Sequence, residues 1–397
     1  MIKKFLELGL LPRVMIAIVL GVSLGGIVGQ TFVSVFATFN GFFGQYLGFC
    51  IPLIILGLVA PGIADLGKNG GRLLLIVVVI AYGSTLFAGF FSYIACSAIF
   101  PLLLDNASAT GTAAVETAEL GFLPPLFTLE IPPLFDVMTA LVLAFVLGIG
   151  MMKIKGDLLK QSFTEFRNII EQLIVWTIIP LLPIYVFSLF LNMSYSGIAW
   201  QIIRDFGLII GVILVLHLLL LLLQFAVGGA IARRNPFKML WTMLPAYMTA
   251  LGTSSSAATI PVTLQSAKKM GVNHDIADFC IPLCAAIHLP GSTLKIVATA
   301  LAVCLMDGLP HDLFLFAGFI MLLGVVMVAA PGVPGGAIMA ALGVLHASLG
   351  FGDTQNTLMI AIYLAIDSFG TAGNVTSDGA IAAGINHLAM TKTTEEP

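Results

Sequence analysis

In a chain of 397 residues, 59% hydrophobic and only 9% charged, there is too little polar surface to wrap a soluble core, and a mean hydropathy of +1.07 makes the bilayer the natural solvent. The formal net charge of -3 is divided among separate loops, so no basic patch is available for nucleic acid. Cys50, Cys96, Cys280, Cys284 and Cys304 sit in apolar stretches without metal-ligand spacing and read as packing residues.

Residues 1–12 carry Lys3 and Lys4 among Phe5, Leu6, Leu8 and Leu10. The apolar run behind them is not followed by a small-residue cleavage site and a polar segment, so they predict a short amphipathic helix at the cytoplasmic interface rather than a signal peptide. Apolar stretches then recur at residues 14–30, 46–63, 73–104, 137–152, 170–191 and 208–232, near the ~20 residues that a spanning helix needs. Pro180 and Pro183 predict a bend in the fifth. Lysines and arginines collect at Lys3, Lys4 and Arg13, at Lys68 and Arg72, at Lys153, Lys155, Lys160 and Arg167, at Arg233, Arg234 and Lys238, and at Lys268 and Lys269, which marks those segments as cytoplasmic. Residues 105–136 carry Asp105, Glu116, Glu119, Glu130 and Asp136 without a Lys or Arg and belong outside. The charge pattern predicts cytoplasmic N- and C-termini in a multi-pass protein among membrane lipids.

Beyond residue 232 the texture changes. Residues 235–269 climb through Pro236 and Pro245 to the polar tip Thr253, Ser254, Ser255 and Ser256, then descend to Lys268 and Lys269. With cytoplasmic charge at both ends, this is a hairpin that enters the membrane and returns. A second hairpin is expected between Asp312 and Gly352, where Pro331, Gly332, Val333, Pro334, Gly335 and Gly336 interrupt apolar sequence and acidic flanks point outward. Irregular backbone is not tolerated against lipid, so both tips must be buried in protein or line a cavity. Two hairpins of opposite entry are an inverted repeat, and such repeats meet at a midplane substrate site.

Between Ala361 and Ala383, Asp367, Thr371, Asn374 and Asp378 fall at helical spacing on one face of a single predicted helix. Two carboxylates at membrane depth call for a cation; the alternative is a polar stripe facing partner helices. Serines 254–256 admit two readings also, close helix packing or a tip whose backbone N–H groups and helix dipoles face a ligand carboxylate.

Residues 253–263 (TSSSAATIPVT), 332–339 (GVPGGAIM) and 367–378 (DSFGTAGNVTSD), together with residues 51–67 and 82–85, resemble the dicarboxylate/amino acid:cation symporters, the glutamate-transporter homologues. The last helix is most similar to that of bacterial serine/threonine sodium symporters. The resemblance implies an all-α polytopic fold of eight transmembrane helices and two re-entrant hairpins, a homotrimer, and an elevator motion of a transport domain against a scaffold. It divides the chain into residues 1–70 (interfacial helix and scaffold helices 1–2), 71–103 (transport helix 3), 104–195 (outer loop and scaffold helices 4–5), 196–232 (transport helix 6), 233–270 (hairpin 1), 271–307 (helix 7), 308–351 (hairpin 2) and 352–397 (helix 8 and tail).

By the same resemblance, Asp367 binds the substrate amino group with Thr371 beside it, and Asn374 holds the α-carboxylate. Ser255 and Ser256 form the first hairpin's carboxylate cradle, and Gly332 and Val333 the second hairpin's tip. Asp378 anchors a sodium site completed by carbonyls around Cys284, His288 and Asn374, while carbonyls near Val328 and Ala330 form a second. Where acidic-substrate members have an arginine, this chain has Gly370, which has no charge and leaves volume, so the implied cargo is an amino acid with an uncharged side chain, and Gly370 permits one larger than that of serine. Pro290, His288 and Leu86 replace an aspartate, an asparagine and a serine of a third sodium site, which leaves two Na+. His288 is the candidate for proton coupling instead, against a structural role in the helix break. Lys295 has three readings: pairing with a carboxylate, entering the pocket as countercharge for an acidic substrate, or snorkelling. His217, alone in a leucine-rich helix, reads as structural. An anion channel is a weaker functional class, and an intramembrane enzyme lacks a nucleophile with its base or a metal-binding spacing.

Overall fold

The computed structural model describes residues 10–68, 72–121, 123–197, 199–332 and 334–393. The expected interfacial helix, with Lys3 and Lys4, lies largely outside these residues, as does Val333. Every regular element among the described residues is helical: α1 (Leu10–Gly25), α2 (Gln30–Lys68), α3 (Arg72–Gly121), α4 (Val137–Lys153), α5 (Leu158–Tyr195), α6 (Ala199–Ala232), α7 (Pro236–Thr253), α8 (Ser256–Lys269), α9 (His274–Ile287), α10 (Pro290–Met306), α11 (Leu313–Val328), α12 (Gly336–Leu349), α13 (Asp353–Ala365) and α14 (Asp367–Thr393). Five of the described helices, the α9–α10 run counted as one, are long and apolar enough to cross a membrane. The α13–α14 pair makes a sixth if its 62° bend is taken within one span.

Two groups of helices follow from the packing. α2 lies along α4, and α1 along the second half of α5. Elsewhere α10 packs on α3, while α14 packs on α6 and α7 and touches α8, α9 and α10. α10 is the innermost element, buried from Pro290 to Cys304 on every side. The groups meet where α2 contacts α11 and α12, and where α1 and α5 contact α13.

Local chemistry sets most of the breaks. α7 ends at Ser254 in the left-handed conformation (φ 50°), and Ser255 caps α8 by accepting from Ala258 N–H at 3.3 Å. α11 ends at Val328, before Pro331 and Pro334, neither of which has an N–H to donate. α9 stops at His288 and Leu289, and Pro290 opens α10 where its missing N–H costs nothing. In α5 the residues before Pro180 form a π-helical turn, Ile174–Ile178, which accommodates the predicted disruption at the proline pair.

Two expectations are corrected. The outer segment does not begin as loop at residue 104: α3 continues to Gly121, through a stretch rich in Ala, Leu and Glu. The chain then runs irregularly through Pro124, Pro125, Pro132 and Pro133, stapled to α5 by Leu123 N–H on Asn192 Oδ1 (3.1 Å) and to α2 by Leu126 N–H on Thr38 Oγ1 (2.8 Å). Nor is the segment between Ala361 and Ala383 one straight helix. It breaks at Ile366, and Asp367 is the first residue of α14.

Candidate functional site

The break between α13 and α14 places Asp367 at a helix N-terminus, where the macrodipole favours a negative charge. Its Oδ2 accepts from Gly335 N–H at 2.8 Å, and Gly335, at φ 76°, is the cap of α12. Asn374, two turns further along α14, accepts through Oδ1 from Gly291 N–H at 2.8 Å in the first turn of α10. Across the hairpins, Ser255 Oγ, the cap of α8, donates to Gly332 O at 2.9 Å. Hydrogen bonds therefore link the starts of α10 and α12 to α14, and the start of α8 to the second tip. Helix starts carry unpaired N–H groups and partial positive charge, which suits them to anionic ligands.

Both acids of the predicted stripe meet a basic side chain from the broken α9–α10 segment. Lys295 Nζ lies 2.8 Å from Asp367 Oδ1, and the Lys295 side chain is 0% exposed. Its ammonium also sits 3.5 Å from the centre of the Tyr363 ring, a cation–π contact in a dry setting. Of the three sequence readings for Lys295, pairing with a carboxylate is the one observed. A Cβ built on Gly370 would lie 2.7 Å from Lys295 Nζ and 2.8 Å from Cε. The volume expected to be open at Gly370 is thus filled, and by a cation.

At the far end of the stripe, His288 Nδ1 is 2.8 Å from Asp378 Oδ1 and Nε2 is 2.9 Å from Ser84 Oγ. A carboxylate accepts, so Nδ1 carries the hydrogen; Nε2 can then accept from the Ser84 hydroxyl, whose oxygen accepts from Gln224 Nε2 at 3.0 Å. A neutral imidazole satisfies the whole relay. The buried Oδ2 of Asp378 has no hydrogen-bond partner in the protein. An orphaned carboxylate oxygen at this depth fits a hard cation that prefers oxygen ligands. His288 thus meets Asp378 through its ring, where a backbone carbonyl was expected. The Cys284 carbonyl accepts from His288 N–H at 2.8 Å, and the Asn374 carbonyl accepts from Ser377 Oγ at 2.8 Å.

The remaining predicted residues fall as follows. Ser256 is buried at the start of α8, and Thr371 Oγ1 donates back to Asp367 O at 3.1 Å. Val328 closes α11 and Ala330 lies just beyond it, where carbonyls run out of intrahelical partners. Tyr82 and Thr85 direct their hydroxyls to the carbonyls of Met321 (3.3 Å) and Ala81 (2.9 Å). Sequence reasoning gave no role to Ser84, Gln224, Gly291, Ser292 or Tyr363, and placed Gly335 in the second tip without its bond to Asp367. Ser292 Oγ joins Asn374 Nδ2 (3.2 Å) to the Tyr363 hydroxyl (3.1 Å), and these residues come together only when the helix breaks are folded. His217 bridges Ile213 O and Gly291 O at 2.9 Å each, a structural tie between α6 and the start of α10.

A cavity of about 310 Å³ lies beside the hairpin tips, between Leu58 and Gly62 of α2, Arg167 and Glu171 of α5, Ala257 and Ile260 of α8, and the second tip at Ala330 and Gly332. Gly62 faces Ala329, and Gly44, near the middle of α2, faces the Asp353 carboxylate.

A family model described as the sodium:dicarboxylate symporter family matches residues 10–388. Among characterised proteins, the serine/threonine transporter SstT of Acinetobacter baumannii is 25% identical over 403 residues, covering 97% of this chain and 98% of that protein. Excitatory amino acid transporter 4 of Mus musculus is 31% identical over 254 residues, and excitatory amino acid transporter 3 of the same species is 31% identical over 260. Those two matches cover 62% and 64% of this chain but only 44% and 48% of the longer mouse proteins.

Proposed function

Because the chain belongs to the sodium:dicarboxylate symporter family, we propose that it is an elevator-type symporter that imports an amino acid together with Na+ through a bacterial inner membrane. Membership makes it a multi-pass membrane transporter rather than an enzyme. The finer reading rests on one observation, the convergence of Asp367, the two hairpin tips and the orphaned Asp378 oxygen around the broken start of α10. Asp367 offers a carboxylate to an ammonium, the starts of α8 and α12 offer N–H groups to an α-carboxylate, and Asp378 offers an oxygen to a cation.

On this reading the fold has eight spanning helices and two hairpins in a homotrimer, with N- and C-termini in the cytoplasm. α1, α2, α4 and α5 are the scaffold, and the other helices move. Gly44 against Asp353 and Gly62 against Ala329 support a conformation lowered towards the cytoplasm, since the second tip then lies near the cytoplasmic end of α2. The cavity beside Arg167 and Ala257 is the path of release on that side. Two sodium ions are coupled, one at Asp378 and one at the Val328 and Ala330 carbonyls. The third site is lost, because Pro290 supplies no carboxylate and Leu86 no hydroxyl. The wide coverage by serine/threonine transporters favours a neutral side chain for the cargo, whereas Lys295 beside Gly370 favours an acidic one. Uptake of labelled amino acids into proteoliposomes, in sodium against choline buffer, tests the symporter. Accumulation that is the same in both buffers overturns sodium coupling, and a sodium-independent, pH-dependent uptake lost in His288→Ala replaces it with proton symport.

A further inference from the structure

We infer that the groove between α3, α6 and α14 is a second ligand site, which takes an uncharged alkyl phenol or alkyl alcohol from the bilayer and weakens the sodium site behind it. The cavity measures about 380 Å³, and none of its lining residues is charged. Phe87, Leu223, Val227, Ile231 and Leu388 form an exposed apolar rim. Two of its three helices are long and apolar enough to span a membrane. Counted along them from the span ends at Leu74 and Ala232, Ser84 and Gln224 lie about 15 Å and about 12 Å deep, at ~1.5 Å per residue. The opening therefore faces hydrocarbon, which offers no partner to a polar atom.

Gln224 breaks the apolar lining. Among the described residues its side chain makes one hydrogen bond, from Nε2 to Ser84 Oγ at 3.0 Å. The relay behind it fixes which way the amide points. His288 Nδ1 gives its hydrogen to Asp378, so Nε2 accepts from the Ser84 hydroxyl, and Ser84 Oγ is left to accept from the amide nitrogen. Oε1 is then without a protein partner in the wall of the groove. An amide oxygen unpaired against hydrocarbon is costly, and the group that relieves it must donate. A hydroxyl on an apolar body does so. An acyl chain or an ester carries no donor, and an ion or a zwitterion meets no countercharge.

Occupancy reaches Asp378 through bonds already in place. A donor on Oε1 completes a series from ligand O–H to Gln224, Gln224 N–H to Ser84, Ser84 O–H to His288 and His288 N–H to Asp378. Hydrogen bonds in series strengthen one another. A stronger bond from His288 draws charge from the Asp378 carboxylate, which then holds a cation less well. This coupling rests on the sodium site proposed above; the binding does not.

The test compares 4-nonylphenol with nonylbenzene, which has the same ring and chain but no hydroxyl, on the full chain in proteoliposomes. A diazirine-bearing alkyl phenol, photolysed and mapped by peptide mass spectrometry, should label the rim at Leu223, Val227 or Leu388. 4-Nonylphenol should displace it about 2- to 10-fold better than nonylbenzene, the ratio for one neutral hydrogen bond. Gly83 lines the groove, and a Cβ there meets nothing within 4 Å, so Gly83→Leu should fill the space and lose the labelling while uptake continues. In the wild type 4-nonylphenol should raise the sodium concentration for half-maximal uptake about twofold, a fraction of one hydrogen bond, and Gly83→Leu should abolish the rise. Equal displacement by the two compounds makes the groove a seat for plain acyl chains and overturns the ligand class. Labelling that survives in Gly83→Leu overturns the site. Selective labelling with an unmoved sodium curve overturns the coupling. Uptake that needs no sodium overturns the coupling together with the sodium reading, and the displacement result still decides the site.

Discussion

Replacing Asp367 by Asn leaves the Lys295 ammonium, 0% exposed, against an amide that cannot neutralise it. Breaking a buried ion pair by removing one partner costs about 3–5 kcal/mol. The Tyr363 ring, 3.5 Å from the ammonium, contacts it with or without the carboxylate, so this cation–π interaction does not change the difference. Gly335 N–H keeps an acceptor, because an Asn carbonyl can stand where Oδ2 stood. The expected loss is therefore about 3–5 kcal/mol. Removing both charges, in Asp367→Asn/Lys295→Met, should recover most of it, since a buried pair replaced on both sides is often close to neutral. Thermal unfolding of the purified protein in detergent, for the wild type, both single variants and the double, gives the coupling as a thermodynamic cycle. Asp367→Asn that melts with the wild type, or a double variant whose loss is the sum of the two singles, refutes a charged buried pair.

Other outcomes follow from the same geometry. Gly291→Ala forces a Cβ to within 2.6 Å of Gly370 O, and backbone cannot yield as a side-chain tip does; a loss of about 1–3 kcal/mol should appear in the melting curve, and wild-type stability would contradict the close approach. Ser255→Ala removes both the cap of α8 and the bond to Gly332 O, worth about 1 kcal/mol, so amide exchange should quicken at Ala258 and through residues 329–332; unchanged exchange at the second tip would show that the hairpins are not tied there. Substrate affinity should rise with sodium along a log-log slope approaching two, and Asp378→Asn should lower it, because it neutralises the oxygen left without a protein partner. A slope near three would restore the third ion.

The sequence by itself carried the class of the molecule. Hydropathy marks the apolar stretches that form helices long enough to cross a membrane, because burying Lys or Arg in lipid is costly wherever the helix lies in the fold. The hairpin tips were legible at Ser254–Ser256 and around Pro331 and Gly335, since left-handed backbone and missing N–H groups are local properties. The Asp367 to Asp378 stripe was legible from helical period, and Asp367, Asn374 and Asp378 each bond to the broken α9–α10 segment, at Lys295, Gly291 and His288. Sequence alone could not reveal that α14 begins at Asp367, for neither Pro nor Gly marks Ile366; the break coincides with a carboxylate held by Lys295 and Gly335, which lie far away in the chain. The same limit governs the pocket. Gly370 predicts room only if its neighbours are unknown, and nothing local in the sequence shows that the His288 ring meets Asp378. Which side chain fills a glycine's space, and which atom meets Asp378, is decided by how α10 seats against α14, and that seating is a sum of contacts between residues that no local pattern relates.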